Sequence, residues 1–428
     1  MTTCVLKDLI EISKDGEWGK AEPSGDSVEM LCIRGTDFDD VRFGNTNSTP
    51  RRHIAKRIAD RKMLQPWDLL IEAAGGTKNQ ITGRTVLLRP QLFSDSELPV
   101  TCASFSRFIR FKTDLCTPEF MFWYLQHLYG AGFMHAYHTQ HTGVARFQWT
   151  TFSEREPLEL PPLSVQQRIA DVLSAYDEAI ENNRRRIRTL EKMARALYRE
   201  WFVHFRFPGH QEGKCVTSAL GDIPLGWGVA TLGNLTTKIG SGATPRGGKE
   251  AYHSEGMALI RSLNIYDYQF EISNLAYIND AQATQLDNVV VESGDVLLNI
   301  TGASVARCSM VPSYILPARV NQHVAIIRAN PQCMNPFYLL DTLNNDQNKQ
   351  RLLGLAQGGA TREALTKETI SNFLILLPPL NLTSRYAEAT GPVHIQREIL
   401  DRQIQNLSRT RDLLLPRLLS GQMNLETI

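Results

Sequence analysis

The stretch of sequence that decides the fold spans residues 160–201 and reads LPPLSVQQRIADVLSAYDEAIENNRRRIRTLEKMARALYREW. Mostly apolar residues recur in it at alternating spacings of four and three, which is the heptad pattern of a coiled-coil helix. This seam consists of Ile169, Leu173, Tyr176, Ile180, Asn183, Ile187, Leu190, Ala194, Leu197 and Trp201. Asn183 is its polar member, and such a residue usually fixes register and partner number. The stretch therefore predicts a long helix that packs lengthwise against a second helix.

A second copy of this stretch follows at an offset of 217 residues. Pro161-Pro162-Leu163 recurs as Pro378-Pro379-Leu380, and Leu190 recurs as Leu407. The second seam holds Val393, Leu400, Ile404, Leu407, Leu414 and Leu418, with Arg397 and Arg411 at two of its positions. The other helix of the same chain is the simplest partner for each helix, and a coiled coil between two copies of the chain is the alternative.

The segments that precede the two helices repeat as well. Leu6-Lys7-Asp8-Leu9 recurs as Leu232-Gly233-Asn234-Leu235 at an offset of 226, and Trp67-Asp68 recurs as Gly294-Asp295 at 227. Further along, the Gly143–Arg146 segment (GVAR) matches Gly359–Arg362 (GATR) at 216. The chain is therefore built twice, which predicts two binding domains on one scaffold. A duplication kept for stability alone is the simpler alternative.

Each half mixes strand and helix patterns. Residues 86–89, 295–300 and 324–328 read as strands, whereas 118–130 and 336–343 read as helices with proline at the first position. We therefore predict a mixed α+β fold with two α/β globular domains separated by two long antiparallel coiled-coil helices, in a pseudo-two-fold internal repeat. The predicted domains are residues 1–163 and 211–383, and the predicted coiled-coil helices are residues 164–210 and 384–428.

Composition excludes several classes of protein. No run of about 18 apolar residues occurs, and the N-terminal segment lacks the apolar core of a signal peptide, so we expect a cytoplasmic chain without a membrane span. Seven cysteines without a Cys-x-x-Cys pair indicate free thiols. The chain has 46 basic and 45 acidic residues, which give a net charge of +1. Any contact with nucleic acid must therefore come from placed side chains and not from bulk charge.

Motifs that resemble catalytic sites are incomplete. The loop at residues 240–250 has Ala243 and Glu250 where a phosphate-binding loop needs glycine and serine or threonine. Asn335-Pro336-Phe337-Tyr338 lacks the second proline of the Asn-Pro-Pro-Tyr tetrapeptide of adenine methyltransferases, and a capped helix start explains it. Asp68 with Glu72 has no basic residue at nuclease spacing, and Asp68 recurs as Asp295, which indicates a framework role. We predict a chain without catalytic residues or cofactors of its own.

Three histidines, His135, His138 and His141, follow one another at spacings of three residues. A metal site is one interpretation of this spacing, but no cysteine or carboxylate lies nearby to complete it. Histidines that face solvent or DNA are the interpretation that we favour. The sequence therefore predicts no metal site.

Basic and polar residues in the repeated loops are the candidates for contact with DNA. The predicted DNA-binding residues are Arg146, Thr361 and Arg362 in the GVAR and GATR loops, Lys78, Arg84 and Arg307 in the polar loops 75–84 and 302–307, and Arg51 and Arg52. Arginine at a loop tip suits guanine or phosphate, and a structural arginine that bonds loop carbonyls is the alternative. Arg51 and Arg52 open a basic stretch, residues 51–62, which we interpret as one side of a helix that is either solvated or grips phosphate.

Several long motifs resemble those of the specificity subunits of type I restriction-modification systems. They are LPPLSVQQRIADVLSAYDEAIENN, LEKMARALYREWFVHFRFPG, IPLGWGVATLGNL, GSGATPRGG, GDVLLNITGA, VNQHVAIIR and RDLLLPRLLSGQM. They occur in the order of that family and cover essentially the whole chain. The first half is similar more loosely, since it has Trp67-Asp68 in place of Gly-Asp and residues 101–103 (TCA) where the second half has 321–323 (NQH).

The resemblance implies a function and a set of partners. Each domain would be a target-recognition domain that reads one part of a bipartite site in double-stranded DNA. The helices would set the spacer and dock two methyltransferase subunits, with restriction subunits as further partners. S-adenosylmethionine, Mg²⁺ and ATP would belong to those partners. The aromatic end of the first helix, formed by Tyr198, Trp201, Phe202 and Phe205, would be an exposed partner-binding surface, or alternatively an apolar plug of the helix against its own domain.

Two other classes of function compete with this interpretation. One is a coiled-coil adaptor that binds only proteins, and the other is a self-contained DNA methyltransferase with disguised motifs. An adaptor would not bind DNA, whereas a self-contained enzyme would transfer methyl groups from S-adenosylmethionine without a partner.

Overall fold

The structure, a computed structural model, describes residues 2–76, 80–140, 143–209, 215–245, 248–357 and 364–423. The chain divides into two compact units, Met1–Asn183 with Gln403–Ile428, and Arg184–Arg402. Both units mix strands with helices, as the predicted fold class requires. Within the described ranges, no helix combines the length and apolar character that a membrane crossing needs.

In its described residues, the first unit is built from short strands and α-helices, one of which continues into the second unit. The strands are β1 (Thr2–Val5), β2 (Ile10–Asp15), β3 (Ser27–Ile33), β4 (Arg51–Ala55), β5 (Leu69–Glu72), β6 (Ala74–Gly75), β7 (Thr85–Leu87), β8 (Val100–Cys102), β9 (Ser106–Phe111), β10 (His138–Thr139), β11 (Ala145–Phe147) and β12 (Pro157–Leu160). The helices are α1 (Phe38–Val41), α2 (Lys56–Lys62), α3 (Pro90–Ser94), α4 (Pro118–Gly130), α5 (Trp149–Arg155) and α6 (Leu163–Tyr198). The end of the last helix, α12 (Leu380–Leu419), completes the unit.

A four-stranded antiparallel sheet with the order β2-β9-β5-β7 forms the centre of the first unit. β5 is buried along its whole length, and alternate side chains of a strand face opposite layers. Leu69 and Ile71 therefore pack in the layer that holds α4 and the start of α6. Leu70 packs in the layer of the small sheet β4-β3-β8. The two layers fix the register of the strands, because a slip by one residue would exchange them.

The second unit contains the rest of α6 and the strands and helices that follow. The strands are β13 (Cys215–Ser218), β14 (Gly221–Pro224), β15 (Gly228–Thr231), β16 (Thr236–Ser241), β17 (Met257–Ile260), β18 (Ala276–Ile278), β19 (Val290–Val291), β20 (Val296–Asn299), β21 (Cys308–Met310), β22 (Ala318–Val320), β23 (Val324–Ala329) and β24 (Leu374–Leu377). The helices are α7 (Leu232–Leu235), α8 (Asp280–Thr284), α9 (Pro336–Asn344), α10 (Asp346–Gln357), α11 (Lys367–Ser371) and the first part of α12.

The second unit repeats the central sheet of the first and the small sheet that packs on it. Its central sheet has the order β16-β23-β20-β21, and β17 lies between β18 and β22 as β3 lies between β4 and β8. The β3–β8 and β17–β22 pairs are both parallel. A register shift in the first strand of the central sheet also recurs. It lies between Ile10 and Ile12 in one unit and between Thr236 and Lys238 in the other. The predicted internal repeat is therefore confirmed at the level of strand register.

Strand pairing corrects the predicted alignment of the GVAR and GATR loops. Arg146 pairs with Ala74 in the first unit. Thr301, the counterpart of Ala74, bridges Ala364 in the second unit. The counterpart of Arg146 is therefore Ala364, and its predicted equivalence to Arg362 is wrong by two residues. A short match within loops of unequal length does not fix register, whereas main-chain pairing does.

In the first unit, α6 and α12 pair through the predicted seam. Arg411 donates to Asp177 at 2.9 Å, and Asn183 Nδ2 donates to Gln403 Oε1 at 3.2 Å. The residue numbers rise along one helix as they fall along the other, so the helices run antiparallel here. The polar seam residue Asn183 thus meets a polar partner, which fixes its level along the helix pair.

The second unit continues the pairing in the same sense. Glu191 of α6 lies 3.8 Å from Arg397 of α12. The two arginines at seam positions of the second helix, Arg397 and Arg411, therefore each face an acidic residue of the first helix. We conclude that the two helices are each other's partners within one chain, as the simpler interpretation of the seam predicted.

The basic stretch at residues 51–62 is not a single helix. Arg51 and Arg52 lie in β4, where they pair with Leu31 and Met30 of β3, and α2 begins only at Lys56. The interpretation of residues 51–62 as one side of a helix is therefore wrong for Arg51 and Arg52. Pairing with β3 overrides the local helical pattern, because strand formation depends on the neighbouring strand more than on propensity.

Asp401 on α12 gives the second unit a pH-dependent stability. Burial raises the pKa of its carboxyl from 3.8 to about 6, against the opposing effect of Arg397. Because the folded-state pKa lies above the unfolded value, stability falls as the pH rises through this interval. We expect Asp401→Asn to stabilise the chain by about 1–2 kcal/mol at pH 7.5 and to have little effect at pH 4. Urea unfolding at both pH values measures this, with the exposed Glu388→Gln as control, and equal stabilisation at both pH values would contradict it.

Candidate nucleic-acid interface

A buried carboxylate–arginine pair occupies the same place in each unit. Asp68 accepts two hydrogen bonds from Arg110, at 2.8 and 2.7 Å, and Asp295 accepts two from Arg328, at 2.7 and 2.8 Å. Both carboxylates are fully buried. The hydrogen bonds raise the pKa of both guanidinium groups. The pair holds a turn to the central sheet in both units, which is the framework role that the recurrence of Asp68 predicted.

The first unit contains a cavity of about 680 Å³, which we call the first crevice. Trp18, Arg34, Glu72 and Phe105 are among its lining residues, and they follow or end β2, β3, β5 and β8. Gly16 allows two of these segments to meet, because a Cβ there would overlap the carbonyl oxygen of Cys102. The crevice is thus formed by loops that leave the sheets at neighbouring strand ends, a common place for binding residues.

Two partly exposed aromatic rings form walls of the first crevice. Trp18 is 38% exposed and Phe105 is 55% exposed. The guanidinium of Arg52 lies 4.4 Å from the centre of the Trp18 ring, and its Nε donates to the Trp18 carbonyl at 3.1 Å. The Phe105 carbonyl accepts hydrogen bonds from the Ala73 and Ala74 amides, at 2.8 and 3.0 Å. The backbone at Phe105 and the Trp18 ring are therefore held in place while part of each ring faces solvent.

Charged side chains line the same cavity. Arg84 donates to both carboxylate oxygens of Glu72, at 3.0 and 3.1 Å, and to the Gly35 carbonyl at 2.9 Å. Arg34 donates to both oxygens of Asp37, at 3.0 and 2.8 Å. These contacts hold the Arg84 guanidinium against its own unit, and a contact of Arg84 with DNA stays a prediction.

Arg146 lies beside the first crevice, in β11, opposite the lining residue Ala74. It is exposed, and no hydrogen bond or ion pair to its guanidinium occurs among the described residues. Arg51, also exposed, precedes Arg52 in β4. The structure thus brings three of the predicted DNA-binding residues, Arg52, Arg84 and Arg146, around one cavity. Lys78, Thr361 and Arg362 lie outside the described residues.

We call the equivalent place in the second unit the second crevice. Its main-chain contacts are the same as those of the first crevice, but its side chains differ. Main-chain bonds identify the counterparts: Ala73 donates to the Phe105 carbonyl, and Ile300 donates to the His323 carbonyl. His323 therefore replaces Phe105, and residues 321–323 correspond to 103–105. The predicted match of 321–323 with 101–103 is wrong by two residues, for the same reason as in the GVAR loop. Gly242 approaches the Val320 carbonyl as Gly16 approaches that of Cys102.

Polar side chains fill the second crevice and bond to one another. Thr301 Oγ1 lies 2.7 Å from Nδ1 of His323, and Gln322 Nε2 lies 3.0 Å from its Nε2. The hydroxyl of Thr244 donates to the Gln322 side chain. By the 226-residue offset of β2 and β16, Thr244 stands where the first unit has Trp18. The second crevice thus presents hydrogen-bonding groups where the first presents aromatic rings.

Arg307 is the counterpart of Arg84, because the Glu72 amide donates to the Arg84 carbonyl and the Asn299 amide to that of Arg307. Asn299 replaces the carboxylate of Glu72, so Arg307 has no equivalent ion pair within the described ranges. Its guanidinium instead lies 4.7 Å from the ring centre of Tyr266. Of the two arginines, Arg307 is therefore the one without an ion pair among the described residues, and its contact with DNA stays a prediction.

The aromatic end of α6 is not exposed. Tyr198, Trp201 and Phe202 are buried in the core of the second unit, and the Phe205 ring packs 5.3 Å from that of Trp227. The expected exposure is wrong for Tyr198, Trp201 and Phe202, and Phe205 is half-buried, so the alternative of an apolar plug describes this end of the helix. Aromatic residues at a helix end suit a core and a partner surface equally well, so the pattern did not decide between them.

Two of the three histidines, His135 and His138, lie within the described residues. His135 is exposed, and His138 Nδ1 accepts a hydrogen bond from the Thr82 amide at 3.2 Å. His141 lies outside the described residues. Elsewhere in the described ranges, no group of three or more His, Cys, Asp or Glu side chains is placed to hold a metal ion.

Sequence reasoning did not identify Trp18, Phe105, Tyr266 and His323 as crevice residues. One signal was available for Trp18, which is a lone aromatic residue within the polar stretch DGEWGK. The other three lie in short connections whose alignment between the halves requires the strand register. The structure therefore adds them to the candidate interface.

Comparisons with known proteins agree with the motifs. Residues 85–192 match the family described as the type I restriction modification DNA specificity domain. The MjaIX specificity subunit of Methanocaldococcus jannaschii is 26% identical over 309 residues, which are 71% of this chain and 70% of the relative. The putative MjaX specificity subunit of the same organism is 26% identical over 271 residues, 63% of this chain and 60% of the relative, so that match covers less than two thirds of it.

The fold is that of a solved relative. The crystal structure of a type I restriction-modification S subunit from M. genitalium superposes with a TM-score of 0.61 at 14% identity, over 97% of this chain and 95% of that one. The duplicated framework, the helix seams and these matches point in one direction. The chain is similar, over most of its length, to the specificity subunits of type I restriction-modification systems.

Proposed function

We propose that the chain is the non-catalytic DNA-recognition subunit of a type I restriction-modification complex, and that each crevice reads one part of a bipartite site. One observation carries this proposal: the two units share strand register, the aspartate–arginine pair and the glycine contacts, whereas the linings of the crevices differ. A constant framework with variable loops allows the two units to recognise different DNA sequences without a change in fold.

The two linings suit different contacts with DNA. In the second crevice, Gln322 and Thr301 can bond base edges, and Arg307 can donate to guanine or phosphate. At the first crevice, Arg146 would bind a phosphate, since its guanidinium has no hydrogen bond or ion pair among the described residues, and this contact would position the unit without reading sequence. These contacts would be local, which fits a chain whose net charge is only +1.

The pair of long helices is proposed to set the spacer between the two parts of the DNA site and to bind the partner subunits. An antiparallel pair of long helices fixes a distance, since each residue of a helix adds about 1.5 Å. Apolar side chains remain exposed on it, namely Met193, Ile395, Ile399 and Leu413. We propose that two methyltransferase subunits dock on this pair and that restriction subunits join the complex. S-adenosylmethionine, Mg²⁺ and ATP would serve those partners.

A binding experiment tests this proposal against its rivals. We expect the purified chain to bind duplex DNA weakly and with strong salt dependence, and the chain with its methyltransferase subunit to prefer its own site by about a thousandfold or more. Methyl transfer by the chain alone would identify a self-contained enzyme. DNA affinity that is unchanged by Arg146→Ala and is not increased by the methyltransferase subunit would favour an adaptor that binds only proteins.

A further inference from the structure

The first crevice has features that the fold does not require. The second unit builds the same framework with Thr244 and His323 where the first has Trp18 and Phe105, so neither ring is needed for folding. Both rings nevertheless stay partly exposed, which loses the apolar burial that usually justifies large aromatic side chains. A ligand-binding role accounts for their retention at the mouth of a cavity.

The geometry limits the class of ligand. A volume of about 680 Å³ lies within the range of small-molecule sites, and most of the lining is apolar with a few convergent polar groups. Arg52 covers one face of the Trp18 indole, so the opposite face remains for a second planar group. No aromatic ring of the described residues stacks on Trp18 or on Phe105. The walls therefore suit a flat, unsaturated ring.

Polar groups show how such a ring would be attached to a larger molecule. The Glu72 carboxylate, whose side chain is largely buried, lines the cavity and can accept from the exocyclic amine of a base. Gly35 and Gly75 leave the space next to this carboxylate open, because a Cβ at either would lie 3.0–3.1 Å from its oxygen. Outside the cavity, Arg146 is exposed and has no ion pair with any residue that the structure describes. A planar ring inside the cavity and a phosphate outside it, near Arg146, together match the chemistry of one nucleotide within a DNA strand.

We propose that the first crevice binds a single unstacked nucleobase of DNA, held between Trp18 and Phe105 with its phosphate near Arg146. This inference rests on the proposed function, since it takes DNA as the ligand of the unit. A base within an intact duplex shows only its edge, so a pocket for a whole ring requires a base outside the stack. Stacking on aromatic rings offsets the cost of unstacking, which is smallest for a base that is already unpaired.

The test uses the full-length chain and three DNA duplexes of one sequence. One duplex is fully paired, one carries an extra unpaired 2-aminopurine, and one carries an abasic site in place of that base. We expect about tenfold tighter binding of the 2-aminopurine duplex than of the other two, with quenching of its fluorescence by stacking. Trp18→Ala, Trp18→Leu and Phe105→Ala should each remove most of this preference. Phe133→Ala, which alters a ring that is 53% exposed but outside the crevice, should keep it.

Each contrary result has a defined meaning. Binding of the paired duplex without a preference for the unpaired base would overturn this inference and leave the proposed function standing. Equal binding of the abasic duplex, or a preference that survives Trp18→Leu and Phe105→Ala, would also overturn it. Displacement of the DNA by an equal concentration of dAMP would assign the crevice to a free nucleotide instead. Absence of binding to all three duplexes would overturn the proposed function as well.

Discussion

Replacing Asp177 with alanine should destabilise the first unit by about 3–5 kcal/mol. The carboxylate is 2% exposed and lies 2.9 Å from Arg42, 2.9 Å from Arg411 and 3.8 Å from Arg89. It thereby links α6 to α12 and to the loops that follow α1 and β7. Burial, together with repulsion from Arg411 and Arg89, lowers the pKa of Arg42 against the opposing effect of Asp177. Removal of Asp177 would leave three positive charges together in a poorly solvated site, which costs more than the broken ion pairs themselves.

The matched control for this prediction is the adjacent carboxylate on the same helix. Glu178 also pairs with Arg89, at 3.0 Å, but it is 66% exposed, so Glu178→Ala should cost less than about 1 kcal/mol. Hydrogen–deuterium exchange of the full chain separates the two units, because it reports protection by segment. Loss of protection confined to the first unit is the expected pattern. Similar small effects of both substitutions would show that the arginines find other partners or water.

Joint replacement of Gln322 and His323 by alanine should relax sequence preference at one part of the recognition site. Removing a hydrogen bond between the second crevice and a base edge is expected to reduce discrimination by about 1–3 kcal/mol, or roughly 5–150-fold. The substituted side chains bond mainly to Thr301, Thr244 and each other, so the framework pair Asp295–Arg328 remains intact. Discrimination between DNA sequences should therefore decrease, whereas the stability of the second unit should not change.

Competition binding measures this effect with the chain and its methyltransferase subunit. Duplexes with single base changes are compared for the native chain and the double variant. Changes in one part of the site should matter less to the variant, and changes in the other part should matter as before. Ser104→Ala, at the position equivalent to Gln322 in the first unit, is the control and should leave discrimination in the second unit's part unchanged. Uniform weakening across both parts would mean that these residues contact only the backbone of DNA.

The long helices and the repeat were predictable from sequence because both depend on periodic patterns. The heptad seam holds over α6 regardless of what surrounds it, and α4 begins and ends as its proline and apolar pattern predicted. The backbone conformation is kept in both copies of the repeat even where the residue differs, as at Trp67 and its counterpart Gly294. Trp67 keeps a positive φ of 70° where Gly294 has 85°, so the turn before the buried aspartate is retained despite the strain on a bulky residue.

The crevices were only partly predictable, because their residues come from loops brought together by strand register. Arg52, Arg84 and Arg307 were found from charge and repetition, but Phe105 and His323 were not. A local pattern could not show that β4 would pair with β3, or that the aromatic end of α6 would enter a core. The conformation of each segment depends on the strand or core that it packs against, and the folded chain determines that partner.

Long-read mapping of methylated bases in cells that carry the chain and its methyltransferase subunit tests the central claim most directly. We expect one methylated motif in two defined parts, separated by an unread spacer of constant length. With the Gln322 and His323 double variant, one part should become permissive while the other part and the spacer stay the same. A single continuous motif for the native chain, or equal relaxation of both parts in the variant, would contradict the assignment of one part to each crevice.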